Sequence, residues 1–116
     1  MGSTSGGWIG VDLDGTLAQH GEDWDGISIG EPVPKMVQRV RTWLKAGKDV
    51  RIMTARVSAP FADAYAQVLA IDAWCEKHLG TKLRVTCAKD YQMIELWDDR
   101  AVQVVKNMGE RLDGRE

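Results

Sequence analysis

The chain has 116 residues, of which 44% are hydrophobic and 28% are charged, and its 15 basic and 17 acidic side chains give a formal net charge of −2. This length fits one domain, so we expect a single domain over 1–116. The composition argues against extensive disorder, and the balanced charge gives no strong nucleic-acid signature.

The sequence contains no signal for a membrane or for a metal held by cysteines. No apolar run approaches the roughly 20 residues that span a bilayer, and residues 1–7 lack the basic and hydrophobic regions of a secretion signal. We therefore expect a cytoplasmic protein without membrane contact and with a flexible N-terminus over 1–6. Cys75 and Cys87 have no zinc-ligand spacing, so we expect two reduced, partly buried thiols.

The first half of the chain predicts a strand, a loop and a helix. The apolar run over 7–13 is typical of a buried strand, and its end carries Asp and Gly. The segment 18–33 is rich in Gly, Asp and Pro, which indicates a long functional loop. Apolar residues over 33–44 recur at helical spacing, and Pro34 suits the first turn of that helix.

The middle of the chain predicts a second strand and a second helix. The strand covers 50–53, and the helix extends from Ser58, which would cap it, to Leu79. Pro60 suits the first turn of this helix. Apolar and polar residues alternate over 83–87, so the third strand is expected at an edge of the sheet.

The last third predicts two further strands and a charged tail. A fourth strand covers 93–97, and the valines of 101–105 favour a short fifth strand over a helix. The tail over 106–116 is expected to fray. Strands that alternate with helices predict an α/β fold, a three-layer, Rossmann-like parallel sheet of about five strands.

Polar residues follow four of the predicted strands, at the edge where parallel α/β sheets place their sites. In chain order they are Asp12 and Asp14, Thr54, Lys89, and Asp98 and Asp99. These residue types suit a phosphate group and a divalent cation. Their order across four strands is poorly explained by coincidence.

This set resembles the four motifs of the haloacid-dehalogenase superfamily of phosphohydrolases. The segments that carry the resemblance are Asp12-Leu13-Asp14-Gly15-Thr16-Leu17, Met53-Thr54-Ala55-Arg56, Lys89 and Asp98-Asp99. The resemblance covers about residues 7–105. It is closest to small capless members of the superfamily, including uncharacterised hydrolases of phage and prophage genomes. The segments that carry this closer resemblance are 29–32 and 95–100. The first point at which the family inserts a cap holds only the 18–33 loop, and the second is occupied by the helix predicted over 58–79. The resemblance therefore implies a capless core of that superfamily.

The resemblance also implies a role for each motif residue. Asp12 would be the nucleophile that forms an aspartyl-phosphate, and Asp14 would act first as an acid and then as a base. Thr54 would donate to a phosphoryl oxygen, and Lys89 would add positive charge near the nucleophile. The residues implied for substrate binding are Gly15, Thr16, Ala55 and Arg56.

Crowded carboxylates would repel a phosphate and one another, so the predicted site requires a cation. A Mg²⁺ ion would be held by Asp12 and Asp98, with Asp99 through water. By resemblance, the backbone carbonyl of Asp14 also faces the metal.

Several neighbouring residues have open interpretations. Arg56 and Arg100 follow motif residues directly and suit either substrate contacts or ion pairs. Trp24 is a candidate platform for substrate, within a segment interpreted as a turn, whereas His20 is interpreted as a solvated loop residue.

The expected function is a Mg²⁺-dependent phosphomonoesterase that acts on a phosphorylated substrate as a monomer or homodimer. A phosphotransferase and a non-catalytic phosphate-binding module, such as a receiver domain, are the alternatives. In receiver domains the lysine comes last among the motif residues, whereas Lys89 precedes Asp98 and Asp99 here. This order favours the hydrolase.

Overall fold

Four parallel strands form the sheet in the computed structural model, which describes residues 6–58 and 63–115. The strands are β1 (Trp8–Asp12), β2 (Asp49–Met53), β3 (Arg84–Thr86) and β4 (Met93–Trp97). Their order is β3-β2-β1-β4, so β1 and β2 are central and β3 lies at an edge. The edge position predicted for the third strand is therefore confirmed.

The two central strands supply one apolar face of the sheet. Ile9 pairs with Val50 and Val11 pairs with Ile52, so all four side chains point to the same side. All four are buried in one hydrophobic cluster. A continuous apolar run at the start of the chain thus becomes the centre of a parallel sheet, as expected for a strand with neighbours on both sides.

Two α-helices pack on that face. α1 (Pro34–Lys45) begins at Pro34, as predicted, and buries Met36, Val37 and Val40. α2 (Ala64–Leu79) buries Ile71, Trp74, Cys75 and Leu79, and these side chains join the cluster formed by α1 and the central strands. Among the residues that the structure describes, no helix is long and apolar enough to cross a lipid bilayer.

The start of α2 differs from its prediction. Asp63 is the N-cap, and its carboxylate accepts the N–H of Ala66 at 2.9 Å. Ser58 instead follows a short 3₁₀ helix, Ala55–Val57, and its hydroxyl donates to the carbonyl of Ala55. The predicted cap at Ser58 is therefore wrong, because two candidate capping residues lie close together and only one adjoins the helix. Pro60 lies outside the described residues.

The prediction of three layers is also wrong for the part of the chain that the structure describes. Both α-helices share one hydrophobic cluster with the same sheet face. The connection from β3 to β4 is the short segment 87–92, which contains no helix. A third layer needs a helix on the opposite face, and no described segment supplies one.

The predicted fifth strand does not form over 101–105. Val104 makes one isolated bridge to Arg111, and the N–H of Leu112 donates to the carbonyl of Gln103 at 2.8 Å. Val102 and Val104 remain about half-exposed, at 51% and 53%. β-Branched residues favour a strand only when a neighbouring strand and a packed face are available, and this segment has neither. Over 106–115, the predicted tail is held by backbone hydrogen bonds.

Candidate functional site

The carboxyl ends of β1, β2 and β4 surround a cavity of about 390 Å³. Six of the site residues predicted from the sequence line this cavity: Asp12, Asp14, Thr54, Ala55, Arg56 and Asp98. Arg100 lines it as well. The parallel direction of the strands brings these positions together, because every strand ends at the same edge of the sheet. Residues from distant parts of the sequence thus meet at one opening.

Three carboxylates form a cluster beside this cavity. One oxygen each from Asp12, Asp98 and Asp99 lies within 4.8 Å of the others. The hydroxyl of Thr16 lies 3.1 Å from Oδ1 of Asp99 and 3.4 Å from Oδ2 of Asp12, and it accepts the N–H of Asp99 at 3.0 Å. Thr16 therefore connects the end of β1 to the residues that follow β4.

Gly15 allows the two chain segments to approach closely. Its φ angle is +91°, in the left-handed region that favours glycine. A Cβ atom at this position would lie 2.7 Å from Oδ2 of Asp99. The glycine of the first motif thus makes room for one of the clustered carboxylates.

The cluster has a strong electrostatic effect on Asp12. Burial, the hydrogen bond with Asp99 and the charge of Asp98 together raise the pKa of the Asp12 carboxyl to about 7. Burial acts in the same direction on Asp99, but hydrogen bonds from Asp12 and Thr16 hold the pKa of Asp99 below its ordinary value. Near pH 7, Asp12 is therefore partly protonated, whereas Asp99 is ionised.

The residue types in the cluster fit a hard divalent cation. Carboxylate oxygens are the ligands that Mg²⁺ prefers, and one or two carboxylates with several waters are its usual protein site. A cation beside Asp12, Asp98 and Asp99 would compensate the negative charges of Asp98 and Asp99, which add to the effect of burial on the pKa of Asp12. Asp14 lies outside this cluster, since its carboxylate has other partners.

Asp14 forms a two-point ion pair with Arg56. Nε of Arg56 donates to Oδ2 of Asp14, and Nη2 donates to Oδ1, both at 2.8 Å. Arg56 is only 2% exposed. Its remaining N–H groups donate to the carbonyls of Ile27 and Ser28 and to Oε1 of Gln67. All five donors of the guanidinium therefore have acceptors within the protein.

The segment 19–31, here called the wall loop, forms one side of the cavity. His20 and Trp24 line it, and their rings meet edge to face with centroids 5.5 Å apart. His20 is an exposed loop residue, as predicted, but its Nδ1 also lies 3.4 Å from Oδ1 of Asp14. A single histidine without a spacing motif carries no sequence signal for such a contact.

Helix α2 attaches the wall loop to the domain. Nε2 of Gln67 donates to the carbonyl of Gly26 at 2.7 Å, and Nε1 of Trp74 donates to the carbonyl of Gly30 at 3.0 Å. The guanidinium of Arg56 also stacks on the ring of Trp24 at 4.5 Å. The loop is thus held at several points, although it contains no regular secondary structure.

The second and third motifs differ in how the structure positions them. Thr54 is 3% exposed, its hydroxyl accepts the N–H of Arg56 at 3.1 Å, and it lines the cavity. Lys89 is exposed and is not among the lining residues. The next residue, Asp90, accepts the indole N–H of Trp8 at 2.8 Å, near the start of β1. The chain therefore leaves the site soon after Cys87, which does line the cavity.

The comparisons with known proteins found no match. No protein-family model, no curated protein and no solved structure resembles this chain closely enough to be reported.

Proposed function

We propose that this protein is a Mg²⁺-dependent phosphomonoesterase of the haloacid-dehalogenase type, with Asp12 as its nucleophile. The observation that supports this function most is the cluster of Asp12, Asp98 and Asp99 beside the cavity, which Asp12 and Asp98 also line. Asp14 and Thr54 line the same cavity. A carboxylate nucleophile, a second carboxyl group and a hydroxyl donor are the side chains that two-step phosphate ester hydrolysis needs.

A cation gives this arrangement its expected chemistry. Bound Mg²⁺ would neutralise the crowded carboxylates and orient the phosphate group. Asp12, Asp98 and Asp99 would hold it. The raised pKa of Asp12 makes the metal important, because a protonated carboxyl group is a poor nucleophile.

The first step transfers the phosphoryl group to the protein. An oxygen of Asp12 forms a bond to phosphorus while the ester P–O bond breaks. The electron pair of that bond goes to the leaving oxygen, which takes a proton from Asp14. The form of Asp14 that enters this step is the protonated carboxyl group, which still has acceptor capacity for the N–H groups of Arg56. The Thr54 hydroxyl donates to a phosphoryl oxygen and stabilises the charge that develops there.

The second step releases inorganic phosphate. Asp14, now a carboxylate, takes a proton from water as that water attacks the phosphorus of the aspartyl-phosphate. The P–O bond to Asp12 breaks, and its electron pair returns to the carboxylate. If an alcohol replaced the water, the same residues would perform phosphotransfer.

One observation favours a second candidate, a phosphate-binding module without turnover. The resemblance assigns a positive charge near the nucleophile to Lys89, yet Lys89 is exposed and away from the lining residues. Under our proposal, Lys89 has to reach the phosphate from outside the residues that line the cavity in this structure. A module that binds phosphate without cleaving esters would not require Lys89 there.

A panel of phosphate esters separates these functions. We expect wild-type protein to release phosphate from at least one ester with Mg²⁺ present and not with excess EDTA. Asp12→Asn should abolish that release, whereas Asp113→Asn, a surface carboxylate paired with Arg111, should not. Phosphate binding without release by wild type would support the second candidate. Equal turnover by Asp12→Asn would exclude Asp12 as the nucleophile.

The proposal extends to the partners and location expected from the sequence. The substrate is a phosphorylated molecule that fits a cavity walled by His20 and Trp24. A cytoplasmic location and a monomeric or homodimeric state stay predictions.

A further inference from the structure

We propose that Arg56 is a positioning residue that holds Asp14 in the orientation for protonating the leaving oxygen. This inference rests on the proposed function and concerns the same site. It assigns Arg56 a task through Asp14 instead of the direct substrate contact that the sequence suggested.

The first support is the hydrogen bonding of Arg56. Each of its five N–H groups has an acceptor in the protein, and two of them hold the two oxygens of Asp14. In this arrangement, the guanidinium has no remaining N–H to offer a phosphate. Its effect on the reaction must therefore pass through the groups that it holds.

The second support is the geometry of the ion pair. Two parallel bonds from a planar guanidinium fix both the position and the rotation of a carboxyl group, whereas a single bond fixes only its distance. The other bonds of Arg56 connect it to the wall loop and to α2. Asp14 is thereby held against a buried group instead of rotating freely at the cavity.

A lysine at position 56 would keep the charge and lose this control. Its ammonium group is a point charge with rotatable donors and does not match both carboxylate oxygens at once. Arg56→Lys should therefore keep a positive charge beside Asp14 but leave its carboxyl group poorly oriented. The effect of this substitution on the reaction rate depends on how strongly the departing oxygen needs the proton of Asp14.

Leaving groups provide a readout that a general structural defect would not produce. When the P–O bond of an alkyl phosphate breaks, the departing alkoxide needs the proton of Asp14. The 4-nitrophenolate that departs from 4-nitrophenyl phosphate is stable without one. A badly oriented Asp14 should slow the first reaction much more than the second.

The experiment compares wild type and Arg56→Lys on butyl phosphate and 4-nitrophenyl phosphate, with Mg²⁺ present. We expect kcat for butyl phosphate to fall on the order of 10²-fold and kcat for the aryl ester by less than about tenfold. KM should change little for either ester. Arg111→Lys is the matched control, because Arg111 also forms a two-point pair, with Asp113, but at the surface. It should leave both reactions unchanged.

Two results would overturn the inference. Equal losses on both esters would mean that Arg56 supports the fold and not the orientation of Asp14. Gln67→Ala removes a loop contact and leaves both bonds to Asp14, so a selective loss in that variant would assign the effect to the wall loop. Wild-type protein that cleaves neither ester nor any other would overturn the proposed function itself and this inference with it.

A second variant covers the case in which Arg56→Lys fails to fold. Asp14→Asn leaves Arg56 in place but replaces one acceptor oxygen with an NH₂ group. Since Arg56 connects Asp14 to the carbonyls of Ile27 and Ser28, amide hydrogen exchange across the wall loop should become faster. Unchanged exchange would show that the loop does not depend on the ion pair, and it would overturn the inference.

Discussion

Gly15 and Asp99 lie so close together that a Cβ atom on Gly15 would be 2.7 Å from Oδ2 of the aspartate. This contact joins the turn after β1 to the segment after β4. It places the Asp99 carboxylate, which belongs to the proposed metal site, directly against the backbone of Gly15. The glycine is thus required both by its φ angle and by the space around it.

Gly15→Ala is expected to destabilise the protein and to weaken Mg²⁺ binding. Gly47 offers a matched control, since its φ angle is +79° and no atom lies within 4 Å of the added Cβ. In both variants, the free energy of unfolding should fall by about 1–2 kcal/mol, because an alanine is strained in the left-handed backbone conformation. In Gly15→Ala, the free energy of unfolding should fall by roughly a further 1–3 kcal/mol, because the added Cβ clashes with the Asp99 carboxylate. Urea unfolding and Mg²⁺ titration calorimetry measure these effects, and equal Mg²⁺ affinities would contradict the prediction.

Asp12 should make the metal-free protein less stable as pH rises. Its pKa is about 7 in the folded protein against an ordinary value of 3.8, so the folded state binds more protons between these values. The free energy of unfolding should therefore fall from pH 4 to pH 7, on the order of 1–2 kcal/mol after allowing for solvent screening of the half-buried group. Urea unfolding at several pH values without metal measures it. In Asp12→Asn, the free energy of unfolding should fall less over this pH range. An equally steep fall in that variant would mean that other groups cause the pH dependence.

The two cysteines should differ sharply in reactivity. Burial and the charge of Asp72 together raise the pKa of the Cys75 thiol to about 12, whereas Cys87 is exposed and lines the cavity. Because the thiolate is the reactive form, iodoacetamide should modify Cys87 in the folded protein and both residues after unfolding. Mass spectrometry of the modified peptides measures this. Modification of Cys75 in the folded protein would show that the α2 core opens readily.

Asp63, and not Ser58, should stabilise the start of α2. Asp63→Ala removes the acceptor for the N–H of Ala66 and should lower the free energy of unfolding by about 1 kcal/mol. Ser58→Ala removes a hydroxyl that donates to a turn carbonyl, and its effect should be within about 0.5 kcal/mol. Thermal and urea unfolding of both variants provide the comparison. If Ser58→Ala lowered the free energy of unfolding more than Asp63→Ala, Ser58 would be the cap of α2, as the sequence predicted.

The cap at α2 illustrates a limit of local patterns. Ser58 and Asp63 both precede the apolar face, and each has a side chain that caps helices. Which of them lies at the first turn depends on where α2 begins to pack against the sheet. Likewise, the valines of 101–105 favour a strand, but no partner strand lies beside them.

Local sequence determined the elements and the cluster of carboxylates. Apolar spacing predicted β1, α1 and β4 because burial on a strand or helix repeats over a few residues. The convergence of Asp12, Asp98 and Asp99 followed from parallel strands, whose carboxyl ends share one edge. These conclusions needed no knowledge of contacts between distant side chains.

Only the tertiary structure decided the partners of Arg56 and the position of Lys89. Arg56 meets Asp14 across 42 residues and Ile27 across 29, and no local pattern specifies such pairs. Lys89 follows a strand like the other motif residues, yet the 87–92 segment leads directly from one edge strand to the other without a helix. Long-range pairing depends on how the chain closes around its core, which is a property of the whole fold.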